Sequence, residues 1–297
     1  MPTGAYEIRV AGSRLNRKVR TSRPLPFEMA PMKKLLLGIA FAAAAATPAA
    51  AQVPLHPALE DTWTFGAGFF FPSTTTQATL TSNRTGLGTA VDFEDTLGME
   101  RSKMVPSFYG RWRINQRWRI DAEYFALNRD SERAINRDIT WGDQTFPANT
   151  TVSSKFNFSD LRVSAGYSFF RTPDKELGAG LGLHMAWYDV QMNSATSNRE
   201  GQDVLAPLPV LSLYGNFALT DRWAVGTRLD RFSLDYDKFS GGLTSLALDV
   251  QYQPFKHVGF SLGYRALAIR AEVEGDRVTG KFRQTFQGPM ASVSVSW

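Results

Sequence analysis

MVPSFYGRWRI (residues 104–114), NQR (115–117) and WRIDAEYFALN (118–128) decide how this chain folds. Every second residue of the first arm belongs to one row: Pro106, Phe108, Gly110, Trp112 and Ile114. Val105, Ser107, Tyr109, Arg111 and Arg113 form the other. In the second arm Trp118, Ile120, Ala122, Tyr124 and Ala126 alternate with Arg117, Arg119, Asp121, Glu123 and Phe125. A period of two places successive side chains on opposite faces of a β-strand. Asn115-Gln116-Arg117 is short and polar enough for a tight reversal. The product is a hairpin with one apolar, aromatic face and one charged face.

A water-soluble sandwich turns such a charged face outward. A membrane barrel turns it into the lumen and sets the apolar face on lipid. The rest of the chain separates these two. Met32-Lys33-Lys34 precedes an apolar run from Leu35 to Ala46, and Ala49-Ala50-Ala51 stands before Gln52. A basic start, an apolar run of about a dozen residues and small residues at the end make a secretory signal peptide. The run is shorter than the roughly 20 residues a spanning helix needs. We expect residues 32–51 to be the signal, residues 1–31 to be a spurious extension from a misplaced start, and residues 52–61 to be a periplasmic lead-in. Residues 62–297 are then the barrel.

Charge follows the same division. The chain has 33 Lys+Arg and 28 Asp+Glu, a formal +5. Residues 1–51 hold eight of the basic and two of the acidic groups, which leaves 25 against 26 and a net −1. The basic balance belongs to the leader and gives no reason to expect nucleic acid as a partner. With no cysteine there is no disulfide framework and no thiolate metal site. No long apolar run follows the leader, so entry into a membrane must be by strands closed into a barrel, where every backbone group is paired.

Alternation marks strands at Thr62–Phe71, in the two arms of the hairpin, and at Val152–Phe170, Glu176–Met192, Pro207–Leu219, Trp223–Asp235, Gly242–Gln253, Val258–Ala271 and the last residues to Trp297. It slips at Asp230–Phe232, which predicts a bulge. Asn193–Ala206 reads as a polar loop, and residues 72–103 and 129–150 as long connections. Four connections are short, at Asn115, Pro173, Asp221 and Pro254. Short turns at one end and longer loops at the other fit a barrel with its turns in the periplasm. The count favours an all-β, up-and-down antiparallel transmembrane β-barrel of ten strands, with eight or twelve as alternatives. Trp63, Trp118, Phe169, Trp223, Tyr252, Phe260 and Trp297 fall near the turn end, where amphipathic rings prefer the membrane interface.

On these features the chain resembles the Gram-negative outer-membrane β-barrel proteins, over residues 62–297. The final strand, Ser292-Val293-Ser294-Val295-Ser296-Trp297, is similar to the terminal strand that the barrel-assembly machinery reads in that superfamily. Most members end in Phe, and Trp is an accepted variant. The resemblance implies Val293, Val295 and Trp297 as the assembly signal, the outer membrane as location, and membrane lipid and lipopolysaccharide as surroundings. Residues 91–130 resemble the small proteobacterial barrels, many without an assigned activity. No peptidoglycan-gripping domain is expected after the barrel. Oligomeric state is left open.

Candidate chemistry is sparse. His56 falls in the lead-in and His257 in a turn, and both are expected to be solvated. His184 faces the lumen. The resemblance offers two patterns to compare. Lipid-deacylase barrels carry His-x-Ser, and here the stretch is His184-Met185-Ala186. Omptin-type proteases carry an adjacent Asp-His pair, and here Leu55, Leu183 and Lys256 precede the histidines. Neither pattern is met, so no catalytic residue is expected. The lumen charges Arg111, Arg113, Arg119, Asp121, Glu123, Asp160, Arg162, Arg228, Asp230, Asp249 and Arg265 are balanced in sign. Groups taken out of water must pair, so they are expected to stiffen and partly fill the bore. Asp92, Glu94, Asp95 and Glu100 do not have the spacing of a calcium loop, and a solvated or lumen-plugging loop is expected there rather than a metal site. No cofactor is expected. The reading is a structural or narrow-pore barrel. A barrel enzyme acting on lipid or peptide, or a loop-mediated surface-binding protein, stands as the alternative.

Overall fold

A computed structural model describes residues 56–141, 144–194, 198–276 and 278–297. The expected leader and extension lie outside the described residues. The strands are β1 (Trp63–Phe70), β2 (Ser73–Ser82), β3 (Ala90–Asp92), β4 (Val105–Arg113), β5 (Trp118–Ala134), β6 (Ile139–Trp141), β7 (Gln144–Phe146), β8 (Thr151–Arg171), β9 (Lys175–Ser194), β10 (Asn198–Ala218), β11 (Trp223–Tyr236), β12 (Phe239–Tyr252), β13 (Val258–Glu274) and β14 (Val278–Ser296). One turn of helix, α1 (Pro57–Glu60), precedes them. No described helix is long and apolar enough to cross a membrane.

All the long strands pair antiparallel with their neighbours in sequence, and β14 returns to β1, from Thr64↔Ser296 to Phe70↔Met290. The ring therefore closes at ten positions. β1 and β2 share one position. They are separated at Phe71-Pro72, opposite Gly288-Pro289, because proline brings no N–H to the ladder. β3 and the small β6–β7 hairpin belong to the loop end and add no wall strand. The eight- and twelve-strand alternatives fall away.

Three expectations are corrected. Within the two long connections, residues 73–82 and 129–134 are strand, belonging to β2 and β5. Residues 198–206 are not loop: β9 and β10 continue to Asn193↔Asn198. No register shift occurs at Asp230–Phe232: β11 pairs with β12 through all three residues and with β10 as far as Arg231. The strand stays regular and its surroundings change, since Phe232 points inward into an apolar layer. The irregularities fall instead at Ser168/Phe170 and Arg199/Gln202. The first of these leaves both Phe169 and Phe170 exposed.

The outward rows are apolar over about ten residues of each strand, counted from the short turns. Leu177 to Trp187 on β9 is one such row. That length matches the ~9–11 residues a tilted strand needs to cross hydrocarbon. β8, β9 and β10 run to 21, 20 and 21 residues, so they extend well beyond the band at the loop end. At the turn end, neighbouring strands pair their aromatic rings. Trp63 stacks on Trp112 at 5.1 Å, Trp118 meets Tyr167 at 5.1 Å and Trp223 meets Tyr252 at 4.5 Å. They form the rim that the sequence places there.

Candidate functional site: the barrel interior

Each inward row changes chemistry at the same height. From the turn end, β5 presents Arg119, Asp121 and Glu123 and then Phe125 and Leu127, while β8 presents Arg162 and Asp160 and then Phe158 and Phe156. The result is a charged floor beneath an apolar ceiling.

Two carboxylates organise the floor. Glu176, fully buried, accepts from Arg113 Nη1 at 2.7 Å and Nη2 at 3.1 Å, from Ser168 Oγ at 2.5 Å and from Asn216 Nδ2 at 3.0 Å. Arg119 reaches the same carboxylate at 3.4 Å and pairs with Asp121 at 2.9 Å, while Arg111 holds the other Asp121 oxygen at 2.9 Å. The Arg119 guanidinium lies 3.4 Å from the centre of the Tyr214 ring. Room for that ring comes from glycine. A Cβ on Gly178 would stand 2.1 Å from the Tyr214 ring, and one on Gly166 2.6 Å. The second centre is Asp230, also fully buried. Arg162 donates to both its oxygens, at 2.8 and 3.1 Å, Ser212 donates a hydrogen bond, and Arg228 pairs at 3.2 Å. Arg228 and Arg265 then share Glu123. Asp160 accepts from His184 Nδ1 at 2.9 Å.

Of the lumen charges expected from the sequence, Asp249 alone has no partner of opposite charge or histidine within ion-pair distance among the described residues. It accepts from Gln251 at 2.6 Å on the wall of a cavity of about 80 Å³ shared with Tyr109, Arg228 and Arg265. Small-molecule sites usually measure about 300–1,000 Å³, so this space suits water. Glu176 is the residue that sequence reasoning missed. Its signal was parity, since it shares the inward row of Gly178, Gly180, Gly182 and His184.

His184 has an orienting carboxylate, supplied from β8 and not from an adjacent position. Its Nε2 faces Asp230 at 3.6 Å and no nucleophile, and the whole group is buried. His257 is exposed, with Nδ1 2.8 Å from the Ser296 carbonyl oxygen. His56 is not solvated as expected but buried, because it caps α1. Its Nδ1 accepts from the Ala58 N–H at 3.1 Å. Burial pushes its imidazole below the ordinary value. α1 sits against arginines of the floor and turn: Arg113 donates to the Ala58 carbonyl at 3.2 Å, and Arg171 donates to the Leu59 carbonyl and to Glu60.

The ceiling was absent from the sequence reading. Phe158 and Phe286 stack at 4.7 Å, Phe125 meets both, and Phe70 meets Phe125 edge-on at 5.6 Å. Above them the connection after β3 folds inward, burying Phe93, Leu97 and Met99. Glu94 ties it down by pairing with Arg129 and accepting from the Thr76 N–H at 2.8 Å. Asp92 accepts from the Asp95 N–H at 2.8 Å, Asp95 pairs with Arg101, and the Glu100 carbonyl accepts from Arg129 at 3.3 Å. The acidic segment is thus engaged in closing the bore. Val293, Val295 and Trp297 lie outward and exposed at the seam, where the Trp63 and Trp297 backbones exchange hydrogen bonds at 2.9 and 3.0 Å.

No protein-family model matches the chain, and no curated protein matches it. Solved structures do. The outer membrane protease OmpT from Escherichia coli aligns with a TM-score of 0.50 at 8% identity, over 79% of this chain and 97% of that one. The outer membrane protein OprG from Pseudomonas aeruginosa aligns at 0.39 and 10% identity, over 83% and 98%. The P. putida toluene transporter TodX aligns at 0.34 and 12% identity, over 81% and 92%. What the alignment with OmpT shows is a shared fold, the closed antiparallel β-barrel. A shared fold leaves activity to be argued from the site.

Proposed function

We propose that this chain is an integral outer-membrane protein of the structural kind, a sealed barrel whose bore is a core and not a conduit. One observation carries the reading: the aromatic ceiling, with the Glu94-anchored loop packed on it, lies across the bore above the paired charges. Barrels of about eight strands are filled by side chains and those of about 16 leave a channel; ten positions fall near the filled end. Both signs of charge are matched in the floor, whereas an ion-selective ring would carry one sign. Catalysis at His184 finds no support in this geometry. A surface-binding role for the loops has one favouring observation, the length by which β8, β9 and β10 exceed the apolar band.

The location rests on the apolar outward band and its aromatic rim. The leader at residues 32–51 and the terminal Val293, Val295 and Trp297 supply export and assembly in this reading. Planar-bilayer recording tests it. The refolded protein should carry no steady current, and removal of residues 90–99 together with Phe125→Ala and Phe286→Ala should introduce one. Steady conductance by the unaltered barrel would overturn the sealed reading.

A further inference from the structure

We propose that the outer wall bears a binding site for a membrane lipid whose headgroup carries a primary ammonium. The inference rests on the reading that this wall faces lipid. Cross-strand register defines the place on β5, β8 and β9. Tyr124, Leu161 and Met185 share one level, Ala126, Ser159 and Trp187 the next, and Asn128, Asn157 and Asp189 the third. The first two levels end the apolar band, and the third begins the polar wall above it.

Small side chains make a hollow there. Ala126 and Ser159 stand between the larger Tyr124 and Trp187, and Leu205 closes the β10 side, pairing opposite Trp187. The depression has a volume of about 420 Å³ and opens outward. That lies within the range of small-molecule sites, unlike the water-sized space in the bore. Its lower part is aromatic and aliphatic, and its upper lip consists of side-chain amides and one carboxylate.

The carboxylate sets the class of ligand. Asp189 accepts from Asn157 Nδ2 at 2.9 Å on one oxygen and from Gln191 Nε2 at 3.2 Å on the other. Each oxygen can accept more than one hydrogen bond, so acceptor capacity remains. No lysine or arginine lines the hollow, and Asp189 forms no ion pair among the described residues. A carboxylate at the edge of hydrocarbon gains most from a cation that also donates hydrogen bonds. A phosphate alone would meet the repulsion of the carboxylate with only neutral amides to offset it. An ethanolamine-type headgroup places its ammonium at Asp189 and leaves its acyl chain to run down past Tyr124, Trp187 and Leu205.

The test uses the protein in nanodiscs of equimolar phosphatidylethanolamine and phosphatidylcholine, released for native mass spectrometry. The trimethylated head has the same charge but no N–H donor, so the pair isolates hydrogen bonding. One retained phosphatidylethanolamine should exceed phosphatidylcholine at least tenfold. Asp189→Ala should abolish the preference by removing the acceptor together with its charge. Ala126→Leu should do so by filling the hollow with the carboxylate kept, and Asp221→Asn in a distant turn should leave it intact. Equal retention of both lipids by inserted barrel, or full preference in Asp189→Ala, overturns the site. Failure of the barrel to enter nanodiscs at all would instead overturn the membrane reading beneath it.

Discussion

Four hydrogen bonds from three side chains, and a fifth, longer contact from Arg119, converge on the fully buried Glu176 carboxylate. Removing one partner of a buried ion pair costs about 3–5 kcal/mol, because the charge left behind stays desolvated. Glu176→Gln strands Arg113, whose only carboxylate partner among the described residues is Glu176, and leaves Arg119 with Asp121 alone, so a loss of that size is expected in the folding stability measured by urea titration in micelles. Asp221 and Arg222 stand 3.9 Å apart with more than half of each side chain exposed, and Asp221→Asn should cost less than about 1 kcal/mol. Equal effects of the two changes would show that the floor is wetter than its geometry implies. Alternation places Arg162 and Asp230 on inward rows, but nothing local says that residues 68 positions apart will pair. That depends on the register of three strand pairings, β8–β9, β9–β10 and β10–β11. Glu176 was legible by parity and hidden by its place beside a turn.

α1 is four residues long and makes its own argument about elements. Too short to be stable alone, it persists because His56 caps it and the floor arginines take its carbonyl oxygens. Capping by Nδ1 requires an unprotonated acceptor. Because the folded imidazole titrates below its ordinary value of 6.5, the folded state holds fewer protons than the unfolded one just beneath that pH. The contribution of the cap is therefore complete above about pH 6.5 and declines as pH falls below it. The Arg222 backbone carbonyl, and then Asp61 and Asp221, oppose this by favouring the imidazolium, and burial outweighs them. A dye on Ala58→Cys, in a chain with no other cysteine, should lose anisotropy between pH 7 and pH 5. In a His56→Asn background, which keeps a capping oxygen, it should not. Unchanged anisotropy with the histidine present would count against the cap. The lead-in has no alternation, so the sequence offered no sign of this contact. The ten wall strands were readable because period two is written in each. Their upper ends were not, since polar residues continue both inside and outside there, and alternation of hydrophobicity vanishes while the ladder goes on.

Over the described residues the wall is one closed sheet with two unlike faces and a bore of two layers. Its outward band wants hydrocarbon, and its bore holds charge at one level and aromatic rings at the next. Phe125 and Phe158 share parity with arginines and carboxylates, and Phe286 with serines, so along each strand they sit among polar neighbours. Only closure of the ring gathers them into one layer, where each buried ring contributes roughly 1.5–3 kcal/mol. The account stands on which face meets acyl chains. Single cysteines at Leu181, Leu213 and Leu262, which are 68%, 54% and 70% exposed, can be labelled and compared with cysteines at the buried Ser164 and Ser212. The measurement is quenching of the bound dye in nanodiscs whose acyl chains carry bromine. The account predicts strong quenching at the three leucine positions, weak response there to aqueous iodide, and no labelling of the two serine positions until the barrel is unfolded. Outward labels quenched by iodide and indifferent to brominated lipid would contradict it.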